Sequence, residues 1–287
     1  MVSWQMNGVA HVMRLVYRRK FLTEAAGRQT LYRAKGPSAP PKRLAATSAA
    51  VNGFTVYKVG ENPDKAVIYL HGGAYTSEIV GQHWSLIRHI AEQTGCEVHV
   101  PIYGLSPKHH GLEALALVTE LIARIGKPVY LAGDSAGGGL ALLAAQHTAA
   151  QHTAAQHTTV AGLTMIAPWL DLTMSNPGID EIEPADPWLF RAGLRPIAAA
   201  WTGGLELDDP RLSPIHGDLD GLPPLQILVG TRDITLPDCR LLRDRVPADT
   251  KVTYHEQEGA IHVYPLLPVP EAKAGRAAIV EHINATL

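Results

Sequence analysis

From Val56 onward, short runs of apolar, mostly β-branched residues alternate with longer stretches whose apolar positions recur every three or four residues. KAVIYLHGG (65–73), CEVHVPIY (96–103), KPVYLAGDS (127–135), VAGLTMIAP (160–168), LQILVGTRD (225–233) and KVTYHEQEG (251–259) predict strands. Most are nearly continuous apolar runs, which suits strands covered on both faces. Helical spacing runs through residues 82–94, 111–125, the segment after Ser135, 238–246 and 271–287. Such alternation builds a single α/β domain around a doubly wound, mostly parallel sheet.

Two segments fall outside the alternation. Residues 1–50 hold an amphipathic helix and the Pro-rich GPSAPPKR (36–43), and residues 172–214 are rich in Pro, Gly, Trp and Asp. Additions to a parallel sheet tend to sit over its ligand-binding end. The first segment has a second reading, because a basic amphipathic helix can lie on a membrane surface. The apolar residues of Val9–Tyr17 need a partner surface in either case, and an addition packed over the sheet is the expectation.

Composition narrows the function. At 46% hydrophobic and 18% charged, the 287 residues can bury a large core. A net charge of −2 gives no basic surface for nucleic acid, so a small neutral partner is expected. Cys96 and Cys239 lack any metal-ligand or disulfide-scaffold spacing and are expected as buried free thiols. In the first 21 residues the basic cluster Arg14, Arg18, Arg19 and Lys20 follows the apolar residues, unlike a signal peptide. No apolar run reaches the length of a membrane span, so a cytoplasmic protein is expected.

The candidate chemistry centres on GDSAG (133–137), a G-x-S-x-G motif that closes one predicted strand and opens a helix. A strand–turn–helix of this kind holds a serine hydroxyl exposed at a tight elbow. That hydroxyl needs a base and a carboxylate to orient the base. Asp233 at the end of LQILVGTRD and His262 in EGAIHVYP supply them in the order Ser135, Asp233, His262. Asp238 is the competing acid; it otherwise reads as a cap of the following helix. Upstream, the paired glycines of YLHGGAY (69–75) free backbone N–H groups to face one spot. Gly72, Gly73 and Ala136 are the expected oxyanion-hole donors.

On HGGAY (71–75), VPIYGLSPKHH (100–110), GDSAGGGLAL (133–142), DDPRLSP (208–214), GLPPLQILVGTRDITLPD (221–238) and GAIHVY (259–264), the chain resembles the bacterial hormone-sensitive-lipase-like branch of the α/β hydrolases. The resemblance implies an α/β-hydrolase fold, cleavage of short- to medium-chain acyl esters, no metal or organic cofactor, and a cap made of residues 1–50 and 172–214. The chain departs from the family pattern in three places: Ala74 replaces the third glycine of HGGG, Asp233-Ile234-Thr235 replaces D-P-L, and Tyr103–His109 lacks the Arg and Glu of Y-R-L-A-P-E-H. In the cap, Trp188, Leu189 and Trp201 are candidates for the substrate pocket, with packing of cap on sheet as the competing role. Lactone or N-acyl hydrolysis would use the same triad, and the fold also serves non-enzymatic receptors. Self-association into a homo-oligomer is left open.

The pentapeptide AAQHT, repeated three times after the serine motif, places His147, His152 and His157 five residues apart. On a helix, five residues turn about 500°, so successive imidazoles point about 140° apart and cannot share one metal. At about 1.5 Å per residue they also recede from Ser135, which excludes them as its base. A tandem duplication is the simpler reading.

Overall fold

A computed structural model describes residues 2–62, 64–152 and 160–287. The chain begins with α1 (Trp4–Val12) and α2 (Glu24–Leu31), then the hairpin β1 (Thr47–Val51) and β2 (Phe54–Val59). There follow β3 (Ala66–Leu70), α3 (Gly81–Thr94), β4 (Glu97–Pro101), α4 (Gly111–Ile125), β5 (Val129–Asp134), α5 (Ala136–His152) and β6 (Val160–Ile166). An excursion carries α6 (Ile179–Ile182) and α7 (Arg191–Trp201). The chain returns through β7 (Leu225–Gly230), α8 (Leu236–Arg245), β8 (Val252–Gln257) and α9 (Glu271–Thr286).

The strands form one sheet in the order β1-β2-β4-β3-β5-β6-β7-β8, parallel from β4 to β8 and antiparallel at β1 and β2. All six expected strands and five expected helices are present, and the mostly parallel, doubly wound architecture is borne out. Alternation along β3 and β5 divides the core. Ile68, Leu70 and Leu131 face α4, α5 and α8, whereas Val67, Tyr69 and Tyr130 face α3 and α9. In α4 the buried residues Ala114, Leu117, Val118, Leu121 and Ile122 make one apolar stripe, and Gly126 in the left-handed region (φ +67°) ends the helix.

The hairpin β1–β2 is a difference from the sequence reading. Residues 47–50 belong to the sheet and not to an addition above it. Its signal is present in Asn52-Gly53, with φ of +48° and +80°, the pair that a tight hairpin turn favours. In the repeat, His147 lies on α5, whereas the side chain of His152 and residues 153–159, including His157, lie outside the described residues.

The excursion leaves and rejoins the sheet at one place. Ser213 Oγ accepts from Leu172 N (2.8 Å) and donates to Leu207 O (2.7 Å), and Ile215 N donates to Leu170 O (3.2 Å). Within it, α7 meets α2 at a glycine-to-glycine contact. A Cβ on Gly27 would stand 2.0 Å from Gly193 O, and one on Gly193 would stand 2.3 Å from Phe21 Cα.

Helix α1 is capped by Ser3, whose Oγ accepts from Met6 N (3.1 Å), and Ser3 is itself tied to Glu271. The helical path continues through a π turn at Met13–Tyr17 and a 3-10 turn at Arg18–Lys20. Met6 and Ala10 pack into the core beside Trp84 and Tyr264. The partner surface expected for Val9–Tyr17 serves Ala10 and part of Val9 and Met13, but leaves Val12, Leu15 and Val16 50–56% exposed.

Because nothing at the Gly27–Gly193 contact can retreat without separating two backbones, Gly27→Ala should destabilise the fold by about 1–3 kcal/mol. A lowered urea midpoint checks this, and an unchanged one would mean that α2 does not depend on this contact.

Candidate active site

Strand β5 ends at Asp134 and α5 begins at Ala136, so Ser135 alone makes the turn. Its φ is +52°, a left-handed conformation that costs an L-residue about 1–2 kcal/mol. Four backbone bonds hold it: Ser135 N donates to Ile166 O (2.8 Å), and Ser135 O accepts from Trp169 N (2.9 Å), Gly138 N (3.0 Å) and Gly139 N (3.2 Å). The flanking glycines are needed for close approach, since a Cβ on Gly133 would lie 2.4 Å from Gly137 O and one on Gly137 2.1 Å from Leu70 O.

The crossovers bring three distant residues into one hydrogen-bonded chain. Ser135 Oγ is 2.9 Å from His262 Nε2, and His262 Nδ1 is 2.8 Å from Asp233 Oδ2. With its proton on Nδ1 donated to Asp233, the imidazole leaves Nε2 to accept from the serine hydroxyl. The other oxygen of Asp233 accepts from Thr235 N (3.0 Å) and Thr235 Oγ1 (2.9 Å), which fixes the carboxylate. Burial pulls the pKa of His262 down, but the Asp233 carboxylate, with smaller help from Asp186 and Asp134, outweighs it, and the pKa ends above the ordinary value. Val263, next in the chain, is a β-branched residue at φ +49°. Of seven non-glycine residues at positive φ among the described residues, Ala74, Tyr75, Ser135, Ala167 and Val263 cluster here, which is where backbone strain is expected to collect.

Asp238 does not reach the histidine. It lies inside the first turn of α8, where it accepts from Asn176 Nδ2 (2.8 Å), and burial raises its pKa to about 6. It is therefore not the helix cap suggested by the sequence, since Thr235 holds that position. Gly72 lies against the elbow, where a Cβ would stand 2.9 Å from Ser135 Cβ. Among the described residues, the backbone N–H groups of Gly72, Gly73 and Ala136 donate to no protein acceptor. Gly72 and Ala136 thus bring free donors beside the serine, and Gly73 is the next residue along from Gly72.

The sequence reading missed Asp186. It is fully buried; Oδ1 accepts from Trp188 N (2.7 Å) and Leu189 N (2.9 Å), and Oδ2 accepts from Ile234 N (3.0 Å). One carboxylate thus fastens the excursion to the turn that carries Asp233. Burial, then the neighbouring Asp233 charge, pushes its pKa up. Its sequence signal is an Asp before Pro in ADPW, which reads as an ordinary turn.

A cavity of ≈ 20 Å³ opens beside Ser135 and His262, lined by Ala74, Trp169, Met174, Ile179, Leu189 and Leu194 among others. That is room for little more than one water molecule. Of the three candidate pocket residues, Leu189 lines this cavity. Trp188 stands at the margin, edge-on to His262 with ring centroids 5.5 Å apart. Trp201 is not in the pocket: it is fully buried, stacked on Tyr75 at 4.0 Å and 5°. The competing role, packing of cap on sheet, accounts for it.

The fold and this constellation are those of an α/β hydrolase. The model of the Abhydrolase_3 family, described as having the alpha/beta hydrolase fold, matches residues 67–266. An esterase of Acinetobacter venetianus is 29% identical over 243 residues, covering 81% of this chain and 78% of that protein. An acetyl-hydrolase of Streptomyces hygroscopicus is 32% identical over 226 residues, covering 75% and 73%. An esterase from the bacterial hormone-sensitive lipase family superposes with a TM-score of 0.80 at 27% identity, over 100% of this chain and 99% of that one. An esterase/lipase from an uncultured bacterium superposes with a TM-score of 0.83 at 26% identity, over 99% of each. The chain belongs to the Abhydrolase_3 α/β hydrolases, in their bacterial hormone-sensitive-lipase-like branch.

Beneath the serine, His71 is fully buried, with Nδ1 donating to Gly72 O (2.7 Å) and Nε2 unpartnered. Burial and the nearby His83 lower its pKa to about 4. Folded protein therefore binds fewer protons than unfolded chain between roughly pH 6.5 and 4, and stability falls as pH falls through that window, by about 3 kcal/mol from this residue. Urea unfolding at pH 7 and pH 4.5 should show the loss, and His71→Asn, which cannot titrate, should flatten it.

Proposed function

We propose that the protein is a serine carboxylesterase acting on esters of short acyl groups, and that Ser135, His262 and Asp233 carry the reaction. The observation that supports this reading best is the unbroken hydrogen-bonded chain from Ser135 Oγ through the imidazole to Asp233. His262 takes the serine proton as Oγ attacks the ester carbonyl, and Asp233 stabilises the imidazolium that forms. The N–H groups of Gly72, Gly73 and Ala136 receive the negative charge on the carbonyl oxygen. The imidazolium then returns its proton to the departing alcohol, leaving an acyl-serine. A water molecule deprotonated by His262 releases the acid by the same steps in reverse. The base must be neutral to act, so activity falls as pH falls through the raised pKa of His262.

The acyl group stays bonded to Oγ in the intermediate, so it is the part that must fit the enclosed cavity, while the alcohol departs toward solvent. A cavity of ≈ 20 Å³ favours acetate over longer acids. Residues 172–214, which supply Met174, Ile179, Leu189 and Leu194 to its lining, serve as the cap, and the amino-terminal segment packs on the outside of that cap through Gly27–Gly193 and Tyr17–Trp188.

Chromogenic esters of increasing acyl length test both halves. Ser135→Ala should cut kcat by about 10⁴-fold or more, and Asp233→Asn by about 10⁴-fold, with the fold retained; full turnover by Ser135→Ala would overturn the mechanism. Leu189→Ala should raise the butyrate-to-acetate ratio of kcat/KM roughly tenfold, because it deepens the cavity by the space of a few methylenes. An unchanged ratio would place the acyl group elsewhere.

A further inference from the structure

The amino-terminal segment differs in charge from the rest of the chain. Residues 1–46 hold nine Lys and Arg against a single acid, Glu24, whereas the remainder holds 16 basic and 26 acidic residues. Seven of the nine exposed large apolar side chains among the described residues also lie here: Trp4, Val12, Leu15, Val16, Tyr17, Leu22 and Tyr32. Trp4 and Tyr32 are each 79% exposed. The two properties coincide in space along α1 and the turns that continue it. Met6 and Ala10 anchor one face in the core, and the outward face interleaves Trp4, Val12, Leu15 and Val16 with Arg14 and Arg19.

The cations are available. Among the described residues, Arg14, Arg19 and Arg33 form no ion pair, and the segment's one salt bridge joins Arg28 to Glu24. No described helix is long and apolar enough to cross a bilayer. Exposed aromatic and aliphatic side chains interleaved with Lys and Arg on a helix too short to span is the pattern of an element that lies in the interfacial plane. From this charge and exposure we infer that residues 4–35 form an interfacial anchor that seats the protein on an anionic lipid bilayer. The anchor also borders the site: Tyr17 packs on Trp188 (centroids 6.0 Å apart), which packs on His262. Where the assignment of the triad holds, docking brings the mouth of the site to the membrane and gives it esters dissolved there.

Sedimentation with sucrose-loaded vesicles of phosphatidylcholine, with and without phosphatidylglycerol, tests the anchor without reference to catalysis. The protein should sediment with the anionic vesicles and not the neutral ones, and high salt should release it. Arg14→Glu with Arg19→Glu should lower partitioning by about tenfold or more. Leu15→Ser with Val16→Ser should also weaken it at unchanged charge, because insertion of the apolar face is lost. All these side chains are exposed, so hydrolysis of a water-soluble acetate ester should be unchanged in both variants. Ser135→Ala protein should bind as the parent does, so failure of the anchor and failure of the esterase reading remain distinguishable. Absence of binding to anionic vesicles, or equal binding by the charge-reversed variant, overturns the proposal. So does a dimer in light scattering that Leu15→Ser with Val16→Ser dissociates, since a second copy of the chain would then cover this face.

Discussion

The structure depends on the approach of three backbones around Ser135. The end of β3, the end of β5 and the first turn of α5 come within van der Waals distance, and Gly133 and Gly137 make that approach possible. The serine occupies the left-handed region because the chain must reverse within one residue. Its strain is offset by backbone hydrogen bonds to β6 and to the loop after it. Once this knot is set, the ends of the neighbouring strands converge on it, and loops separated by more than a hundred residues meet at one hydroxyl.

Strong periodicity made most of the sheet legible in the sequence. Strands buried on both faces are continuous apolar runs, and α4 carries its stripe without interruption. The hairpin β1–β2 escaped because TSAAV is mostly exposed and weakly apolar, so its evidence lay in the turn Asn52-Gly53 and not in the strands. At the site, residues whose positions follow from motif and strand end were legible: Ser135, Asp233 and His262 meet where the topology requires. Those placed by packing of the excursion were not. Nothing in the local sequence distinguishes Trp201, stacked under Tyr75, from Leu189, which lines the cavity. Asp186 was illegible for the same reason, because its importance lies in a bond to Ile234, 48 residues away.

Two buried carboxylates near the site have different surroundings. Asp233 has the imidazole on one oxygen and Thr235 on the other, so every acceptor has a donor. Asp186 has backbone N–H donors on both oxygens, but burial, and after it the nearby Asp233 charge, disfavours its ionised form. One carboxylate thus faces the imidazole, and the other fastens the excursion to the loop that presents it.

Trp188 is held between Tyr17 on one side and His262 on the other. An aromatic ring in that position acts as a stopper against solvent on one edge of the imidazole. Its seat is shared between the excursion and the amino-terminal segment, so displacement of the latter loosens the stopper without touching the hydrogen bonds of the triad. One edge of the imidazole is thus covered by a wall that the sheet does not supply.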